Sequence, residues 1–360
     1  MTAYDRLEKS AVMTGRPGIF RKPEEFPISN VVIAPDRYSY EGNWLFCSFN
    51  HSELLGARVG FGRGRIDWRD YGLDETPMTE SALFCRVEVV TAKGIYAYLS
   101  SSSTAGQNVR LIPDRFEVQF GADGNPLIHL SGWPNMHWKF RNSEGSLRVD
   151  LSAELDGMLV WPDCVLPRNT FGMCLGTSRV KGIVHIEGVE FSVKGSGIFD
   201  HPRIQVQENK VAPFGWYLYS PVQFTDGTQL ACYYSQDGDG ERDSIYSAAL
   251  LTLADDKACW LGDCKVANLE LDPDGLPVQW ETLLSGEGTQ VSLRVKIRQL
   301  PFLQGWGDAD SARAQGKYVA YPLLMEVEGE AEFRGQKVCL EQGRGIAEFL
   351  VRKGLQPKFP

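Results

Sequence analysis

Hydrophobic and polar residues alternate with a period of two in several short stretches of the chain. The alternation is clearest over residues 84–90, 116–120, 147–151 and 291–297. This pattern is typical of antiparallel strands with one buried face. No long stretch repeats its hydrophobic residues every 3.6 positions, and residues 308–317 are the best candidate for a short helix. The pattern therefore predicts an all-β protein built from many short strands.

Asp-Gly dipeptides mark the turns between these stretches. They lie at Asp123-Gly124, Asp226-Gly227, Asp237-Gly238 and Asp274-Gly275. Asp and Gly tolerate the left-handed backbone of tight hairpins, so each dipeptide predicts a turn between two strands. The 37 glycines and 19 prolines are spread along the chain and are not concentrated in linkers.

Two pairs of segments resemble each other and indicate an internal duplication. Gly195-Ser-Gly-Ile-Phe-Asp200 is similar to Gly343-Arg-Gly-Ile-Ala-Glu348, and a weaker similarity relates Trp44-Leu-Phe-Cys-Ser48 to Trp216-Tyr-Leu-Tyr-Ser220. Each Trp segment would open a unit and each Gly-x-Gly-Ile segment would close it. Duplication of a strand-rich unit predicts two β-barrel-like domains.

The duplication divides the chain into three parts. Residues 1–40 form an N-terminal arm, residues 41–205 a first β-domain, and residues 206–360 a second β-domain. The arm contains four prolines and is expected to be extended. Whether it covers a barrel is left open.

Composition excludes several classes of protein. The chain has 360 residues, a net charge of −9 and 43% hydrophobic residues, which is ordinary for a soluble protein and unfavourable for nucleic-acid binding. No secretory signal or membrane-spanning apolar stretch is visible. Eight cysteines without a CxxC pair do not indicate a disulfide framework. A cytoplasmic protein without a nucleic-acid partner is expected.

Standard catalytic and cofactor motifs are missing from the sequence. There is no GxSxG, P-loop or HExxH. The segment 60–64 is rich in glycine but lacks GxGxxG spacing, and it is interpreted as a strand turn or bulge. The five histidines lack the spacing of a zinc site. Neither a metal nor a cofactor is expected.

The segment Gly195–Arg203 carries the densest chemistry. Asp200, His201 and Arg203 lie at the end of a predicted strand. Because side chains alternate along a strand, Asp200 and His201 are expected on opposite faces. A buried Asp beside a cation is suited to act as a general acid or a charge anchor. The alternative is a structural Asp200–Arg203 ion pair at the junction of the domains.

Aromatic residues supply a second group of candidates. Those that alternate along strands would project together and line an apolar pocket, although a plain aromatic core is the alternative. Such a pocket favours a lipophilic ligand over a charged one. The candidate binding residues are Trp133, His137, Trp216, Tyr217, Tyr219 and Tyr233.

Together these motifs resemble the carotenoid 1,2-hydratase/AttH-like family. The similarity rests on the Gly-x-Gly-Ile-Phe-Asp-His strand, the Trp-rich strand with its Asp-Gly turn, and the last Gly-Arg-Gly-Ile-Ala-Glu strand. The resemblance implies two tandem lipocalin-like antiparallel β-barrels or sandwiches with few short helices. It also implies an apolar pocket at or near the seam between them and chemistry without a cofactor. Related lipocalin-like proteins include pericyclases of natural-product pathways.

One motif departs from the family. There the Asp-His pair is followed by Gln-Trp-Gly, whereas here Pro202-Arg203-Ile204 follows Asp200-His201. In the hydratases, the aromatic residue and a nearby acid are thought to assist protonation of an alkene. Arg203 in its place puts carotenoid hydration itself in doubt, because an arginine is suited to bind a carboxylate, enolate or ketone oxygen.

The leading hypothesis is a cofactor-independent enzyme for an isoprenoid- or polyketide-type lipophilic molecule, which it would hydrate, cyclise or isomerise. Asp200 or His201 would be the general acid/base, and Arg203 would polarise a substrate oxygen. One rival is a non-catalytic carrier of a lipophilic metabolite. Another is a glycoside-processing protein, which needs two carboxyl groups about 5–10 Å apart. Asp200 and Glu348 end equivalent strands, but in different units.

Overall fold

The structure is a computed structural model. It describes residues 19–22, 40–64, 82–102, 109–112, 116–122, 125–165, 169–206, 216–236, 246–252, 258–286, 288–310, 321–333 and 335–351. Within these residues the protein is almost wholly β-structure and folds into two curled half-barrel sheets. The predicted all-β class is therefore confirmed.

Among the described residues, the first sheet contains thirteen strands. Twelve come from the N-terminal half: β1 (Ile19–Arg21), β2 (Tyr40–Phe49), β3 (Leu54–Gly64), β4 (Ala82–Thr91), β5 (Ile95–Ser102), β6 (Val109–Ile112), β7 (Glu117–Ala122), β8 (Asn125–Ser131), β9 (Asn135–Arg141), β10 (Leu147–Val165), β11 (Asn169–Ile186) and β12 (Val189–Val206). β12 pairs with β11 on one side and with β2 on the other, which brings the end of the unit back to its beginning.

The second sheet has nine strands within the part of the chain that the structure describes. They are β13 (Trp216–Gln223), β14 (Gln229–Gln236), β15 (Tyr246–Thr252), β16 (Ala258–Leu261), β17 (Asp263–Leu271), β18 (Pro277–Gly286), β19 (Thr289–Arg298), β21 (Tyr321–Phe333) and β22 (Gln336–Val351). β22 pairs with β13 as β12 pairs with β2, so the two Gly-x-Gly-Ile segments lie on equivalent strands.

One strand crosses from the second half of the chain to the first sheet. β20 (Phe302–Gly307) pairs in parallel with β5. Its Trp306 is buried in the core of the first sheet, where its ring stacks on Tyr96 at 6.0 Å. The first sheet is therefore completed by the chain of the second unit.

The alternating stretches found in the sequence all form strands, namely β4, β7, β10 and β19. Two of the expected Asp-Gly turns are confirmed, because Gly227 and Gly275 both have positive φ angles, of 94° and 82°. The turns expected at 123–124 and 237–238 lie outside the described residues, as does most of the expected helix at 308–317.

Each sheet buries its own hydrophobic core on one face, called here its core face. Leu45, Val59 and Phe199 belong to the first core, and Leu218 and Phe349 to the second. The opposite faces of the central strands meet each other, and they are called the seam faces. A small apolar cluster from both sheets lies between them and consists of Leu55, Val90, Ile95, Leu324 and Ile346.

The expected turn or bulge at residues 60–64 is wrong. These residues continue β3 in unbroken antiparallel register with β2 and β4. The glycines instead make room for an indole, because a Cβ added at Gly60 would lie 2.4 Å from Trp44 Cε3. A Cβ added at Gly42, on β2, would lie 2.5 Å from Trp44 Nε1. Trp44 therefore lies flat against the sheet.

Among the described residues, no helix has both the length and the hydrophobicity needed to cross a membrane.

Candidate functional site

Asp200 and His201 lie on opposite faces of β12, as the sequence predicts. Phe199 and His201 point to the core face of the first sheet, whereas Asp200 points to the seam. Asp200 lies opposite Trp44 of β2 in the strand register, and adjacent residues of a strand face opposite ways. β12 continues to Val206, so Asp200 and His201 lie within the strand, and the prediction that they lie at its end is wrong. The two faces of this strand therefore supply two separate polar environments.

Glu348 connects the two sheets across the seam. Its Oε1 accepts a hydrogen bond of 2.7 Å from Nη1 of Arg58, on β3. Arg58 also donates to both carboxylate oxygens of Glu88, from Nε and Nη2, at 2.6 Å each. Arg86 donates to Glu88 as well. Two arginines and two carboxylates thus form one network that spans the seam.

This network compensates the burial of its charges. The side chains of Arg58 and Glu88 are both fully buried. Burial alone would raise the pKa of Glu88, but Arg58 and Arg86 outweigh it and hold the pKa below the ordinary value of 4.5. Buried ions are tolerated when bidentate hydrogen bonds satisfy them. The guanidinium group of Arg58 thus makes its hydrogen bonds to carboxylates of the protein.

Asp200 is the buried acid that this network does not neutralise. It is 6% exposed, and Oδ1 has no hydrogen-bond partner among the described residues. Burial raises its pKa well above the ordinary 3.8, and the charge of Glu348 raises it further. Both causes favour the protonated form. Asp200 therefore has the properties of a buried proton donor.

Three tyrosines of the second sheet form the opposite wall. Tyr217 and Tyr233 stack with ring centroids 5.5 Å apart, and Tyr219 lies 6.1 Å from Tyr233. Burial and Glu348 raise the pKa of Tyr217, whose hydroxyl hydrogen-bonds to Glu348. The rings of Tyr219 and of Phe46, on β2, meet edge to face with their centroids 4.9 Å apart.

Tyr40 and Trp44 extend the wall on the first sheet. The indole Nε1 of Trp44 donates to the hydroxyl of Tyr40 at 3.0 Å. Burial, and then Glu348, raise the pKa of Tyr40 above its ordinary value. The seam therefore combines aromatic rings with tyrosine hydroxyl groups held in their protonated form, close to Asp200 and Glu348.

His201 belongs to a different polar cluster, on the core face of the first sheet. Its Nε2 lies 3.0 Å from Oε1 of Glu41, and its Nδ1 lies 2.8 Å from Oδ1 of Asn43. His201 and Asn43 are both fully buried. Arg203 is two residues further along β12, opposite Glu41 in the register, and is also buried. His201 and Arg203 thus share a face that Asp200 does not.

The remaining candidate residues are dispersed. Trp216 is buried in the second core against Phe349, and Trp133 packs on the first core, with its ring 6.1 Å from that of Phe199. His137 lies on the exposed side of β9, where its Nδ1 is 3.1 Å from the hydroxyl of Ser152. Of the candidates, the structure brings Asp200, Tyr217, Tyr219 and Tyr233 to the seam.

Sequence reasoning missed Arg58, Glu88 and Tyr40. A signal exists for Arg58, since it is the charged residue of the alternating run Ala57-Arg-Val-Gly-Phe61. A lone charge on an otherwise small or apolar face indicates a buried partner. Its partner Glu348 comes from a strand 290 positions away, which no local pattern reveals.

Groups of three or more His, Cys, Asp or Glu side chains placed to bind a metal ion do not occur among the described residues.

Known structures share this architecture at low sequence identity. A candidate AttH protein from Nitrosomonas europaea superposes with a TM-score of 0.58 at 12% identity, over 93% of this chain and 99% of that chain. Kievitone hydratase from Nectria haematococca has a TM-score of 0.52 at 9% identity, over 87% and 89% of the two chains. CghA with Sch210972 has a TM-score of 0.46 at 12% identity, over 95% and 96%.

No protein-family model matches the sequence, and neither does any curated protein. The first two structural matches establish a common fold, and the expected AttH-like tandem lipocalin-like architecture is confirmed at that level.

Proposed function

We propose that this protein is a cofactor-independent enzyme that hydrates or cyclises a lipophilic small molecule at the seam, with Asp200 as the general acid. The observation that carries the proposal is the Asp200 carboxyl group, buried beside aromatic rings with Oδ1 unsatisfied by the described residues. A buried polar atom without a partner costs about 1–3 kcal/mol, so such atoms tend to be kept for function.

Asp200 is suited to protonation chemistry because its surroundings favour the neutral acid. A general acid is most effective when its pKa lies near the working pH. Burial and the nearby charge of Glu348 both raise the pKa of Asp200 toward that range. His201, on the core face with Glu41 and Asn43, holds the ends of β2 and β12 together in this proposal.

The aromatic side chains that line the seam are the reason for proposing a lipophilic substrate. Tyr217, Tyr219, Tyr233 and Phe46 present ring faces and edges. Aromatic surfaces bind apolar chains and rings, and they stabilise cationic character that develops during protonation. Holding a flexible molecule in a reactive shape is worth up to about 7–11 kcal/mol of barrier for well-oriented groups. Few catalytic residues are then needed.

The shared fold supports a hydratase over a carrier. Kievitone hydratase has the same architecture, and its name describes the addition of water to kievitone. Fold alone does not carry function, so the proposal rests on Asp200 and uses the fold as support.

The test is conversion of a substrate by the wild type and by Asp200→Asn. Purified protein is incubated with kievitone, prenylated phenols and polyenes in water labelled with oxygen-18, and products are identified by mass spectrometry. The wild type is expected to form a hydrated or a cyclised isomeric product. Asp200→Asn keeps the size and polarity of the side chain but has no acidic proton, so it is expected to bind the same compound and not convert it.

Asp150→Asn is the matched control, because Asp150 lies on β10, and its side chain is 40% exposed, 3.9 Å from Lys139. It should convert substrate as the wild type does. Full turnover by Asp200→Asn contradicts the role of Asp200. Tight binding of a compound without conversion by the wild type identifies a carrier instead.

A further inference from the structure

Asp200 is not the only unsatisfied group at the seam. The hydroxyl of Tyr219 is buried, with the residue 1% exposed, and it lacks a hydrogen-bond partner in the described part of the chain. Buried hydroxyl groups of tyrosine usually find a partner. Two unsatisfied oxygens, one from each sheet, therefore face the same interface.

Phe46 places these two oxygens near each other. It lies opposite Ile198 in the β2–β12 register, two residues from Asp200 and on the same face. The ring of Tyr219 meets the ring of Phe46 at 4.9 Å. Tyr219 therefore covers the stretch of the first sheet that presents Asp200. The charge of Asp200 also raises the pKa of Tyr219, after the larger effect of burial.

Asp200 and Tyr219 are both hydrogen-bond donors. A protonated carboxyl group and a tyrosine hydroxyl each offer one O–H. The neighbouring acceptor, the carboxylate of Glu348, is already engaged by Arg58 and by Tyr217. A neutral carboxyl group and a tyrosine that point at one position form an oxyanion hole in enzymes that stabilise enolates.

We infer that Asp200 and Tyr219 bind one carbonyl oxygen of the substrate, and that the double bond which reacts is conjugated to that carbonyl. This inference rests on the proposed function and makes it more specific. The substrate class is then an α,β-unsaturated ketone or a related enolisable carbonyl compound, and not an isolated alkene.

Hydration of such a substrate requires only water and the proton of Asp200, and all atoms and electron pairs are accounted for. The oxygen of water bonds to the β-carbon, the carbon–carbon π pair moves to form the enol, and the carbonyl π pair takes the proton of Asp200. Water releases a proton, which restores Asp200 through solvent. The enol then returns its O–H proton and gains one at the α-carbon, so that H and OH have been added. In a cyclisation, the carbonyl oxygen takes the proton of Asp200, which withdraws electron density from the same double bond. The proton returns to Asp200 once the ring has closed, so the product is an isomer of the substrate.

Binding of two matched probes tests the inference separately from turnover. The probes are 4-dimethylaminochalcone, an enone, and 4-dimethylaminostilbene, which lacks the carbonyl. The wild type is expected to bind the chalcone at least about tenfold more tightly, and to shift its absorption to longer wavelength, since two hydrogen bonds of ordinary strength supply that preference.

Four variants distinguish the inferred binding of a carbonyl oxygen from the proposed role of Asp200 as general acid. Tyr219→Phe and Asp200→Val each remove a donor and should lower the chalcone preference by about three- to tenfold. Asp200→Asn keeps an N–H donor, so it should retain the preference while losing turnover. Tyr96→Phe, on β5 against Trp306, is the control and should retain both.

The outcomes are distinct. A chalcone that does not bind, or that binds no more tightly than the stilbene, overturns the inference. So does an unchanged preference in both Tyr219→Phe and Asp200→Val. Either result leaves the general-acid role standing if Asp200→Asn is inactive, whereas an active Asp200→Asn with an intact chalcone preference refutes the proposed function alone.

Discussion

Glu348 and Arg58 are 290 positions apart in the sequence, yet Oε1 of one and Nη1 of the other meet at 2.7 Å. Glu348 follows Gly-x-Gly-Ile by two residues on β22, and Asp200 follows Gly-x-Gly-Ile by two residues on β12. The equivalent strands β12 and β22 therefore bring two acids to one seam, where they differ in role. Glu348 is paired with an arginine, and its charge raises the pKa of Asp200.

Removing the guanidinium of Arg58 is expected to destabilise the protein strongly. Arg58→Met keeps most of the volume but leaves Glu88 buried with only Arg86 as a cation, and it removes the link to Glu348. Breaking a buried ion pair costs about 3–5 kcal/mol. Denaturant unfolding measures the loss.

Arg179→Met is the control for this change. The side chain of Arg179 is 66% exposed although it pairs with Glu154 at 3.4 Å and Asp156 at 3.2 Å. An exposed pair contributes about 0–1 kcal/mol. Equal losses for the two variants would show that the seam network adds no stability.

Tyr219→Phe should leave the free energy of unfolding unchanged or raise it by up to about 1 kcal/mol, since it removes a buried hydroxyl that no described residue satisfies. The ring and its contact with Phe46 remain. Thermal and denaturant unfolding of wild type and variant measure the difference. A clear destabilisation would mean that the hydroxyl already has a stabilising partner.

The stability of the protein should depend on pH through Asp200. Its pKa is raised in the folded state, so between the unfolded value, near 3.8, and the folded value the native protein binds more protons than the unfolded chain. The free energy of unfolding therefore falls as pH rises through that interval. Asp200→Asn should flatten this fall, and unfolding curves at several pH values compare the slopes. Identical slopes would contradict a raised pKa.

Glu348→Gln is expected to move the activity profile to lower pH. The charge of Glu348 is the second cause of the raised pKa of Asp200, after burial. Without that charge Asp200 loses its proton earlier as pH rises, so activity that needs the acid declines at a lower pH. The pH dependence of kcat/KM measures the shift. Because Arg58 loses Glu348 as a charged partner and keeps Glu88, the comparison is made at a temperature where both proteins are folded.

Gly42→Ala tests whether glycine makes room for Trp44. The new Cβ would lie 2.5 Å from the indole Nε1, so the indole must move or the strand must shift. We expect the free energy of unfolding to fall by about 1–3 kcal/mol, as it does when a core is overpacked. Trp44→Phe shortens the side chain and should make a second Gly42→Ala change much less costly. A double variant whose loss equals the sum of the two single losses would rule out the contact.

The local sequence pattern was sufficient to locate individual strands of the fold. Alternation located β4, β10 and β19, because a sheet with one buried face must alternate. The same rule separated Asp200 from His201. It did not place β20 beside β5, since a parallel pairing between distant segments leaves no periodic trace in either one.

The site was predictable only in part, for a similar reason. Asp200, Tyr217 and Tyr219 were found because they lie in motifs with dense polar or aromatic residues. Trp216 was grouped with them, although it is three positions from Tyr219, an odd number, so alternation along the strand sends it to the second core. The weaker Trp similarity failed to locate equivalent faces, because Trp44 faces the seam and Trp216 does not.

The crossing of β20 to the first sheet has a consequence for any attempt to separate the halves. A fragment that ends near residue 206 would lack Trp306 and would leave the backbone N–H and C=O groups of β5 unpaired along that side. Exposed sheet edges of this kind recruit other chains and lead to aggregation. The fragment is therefore expected to precipitate or to pair with copies of itself, and a chain added in trans that contains residues 302–307 should restore its solubility.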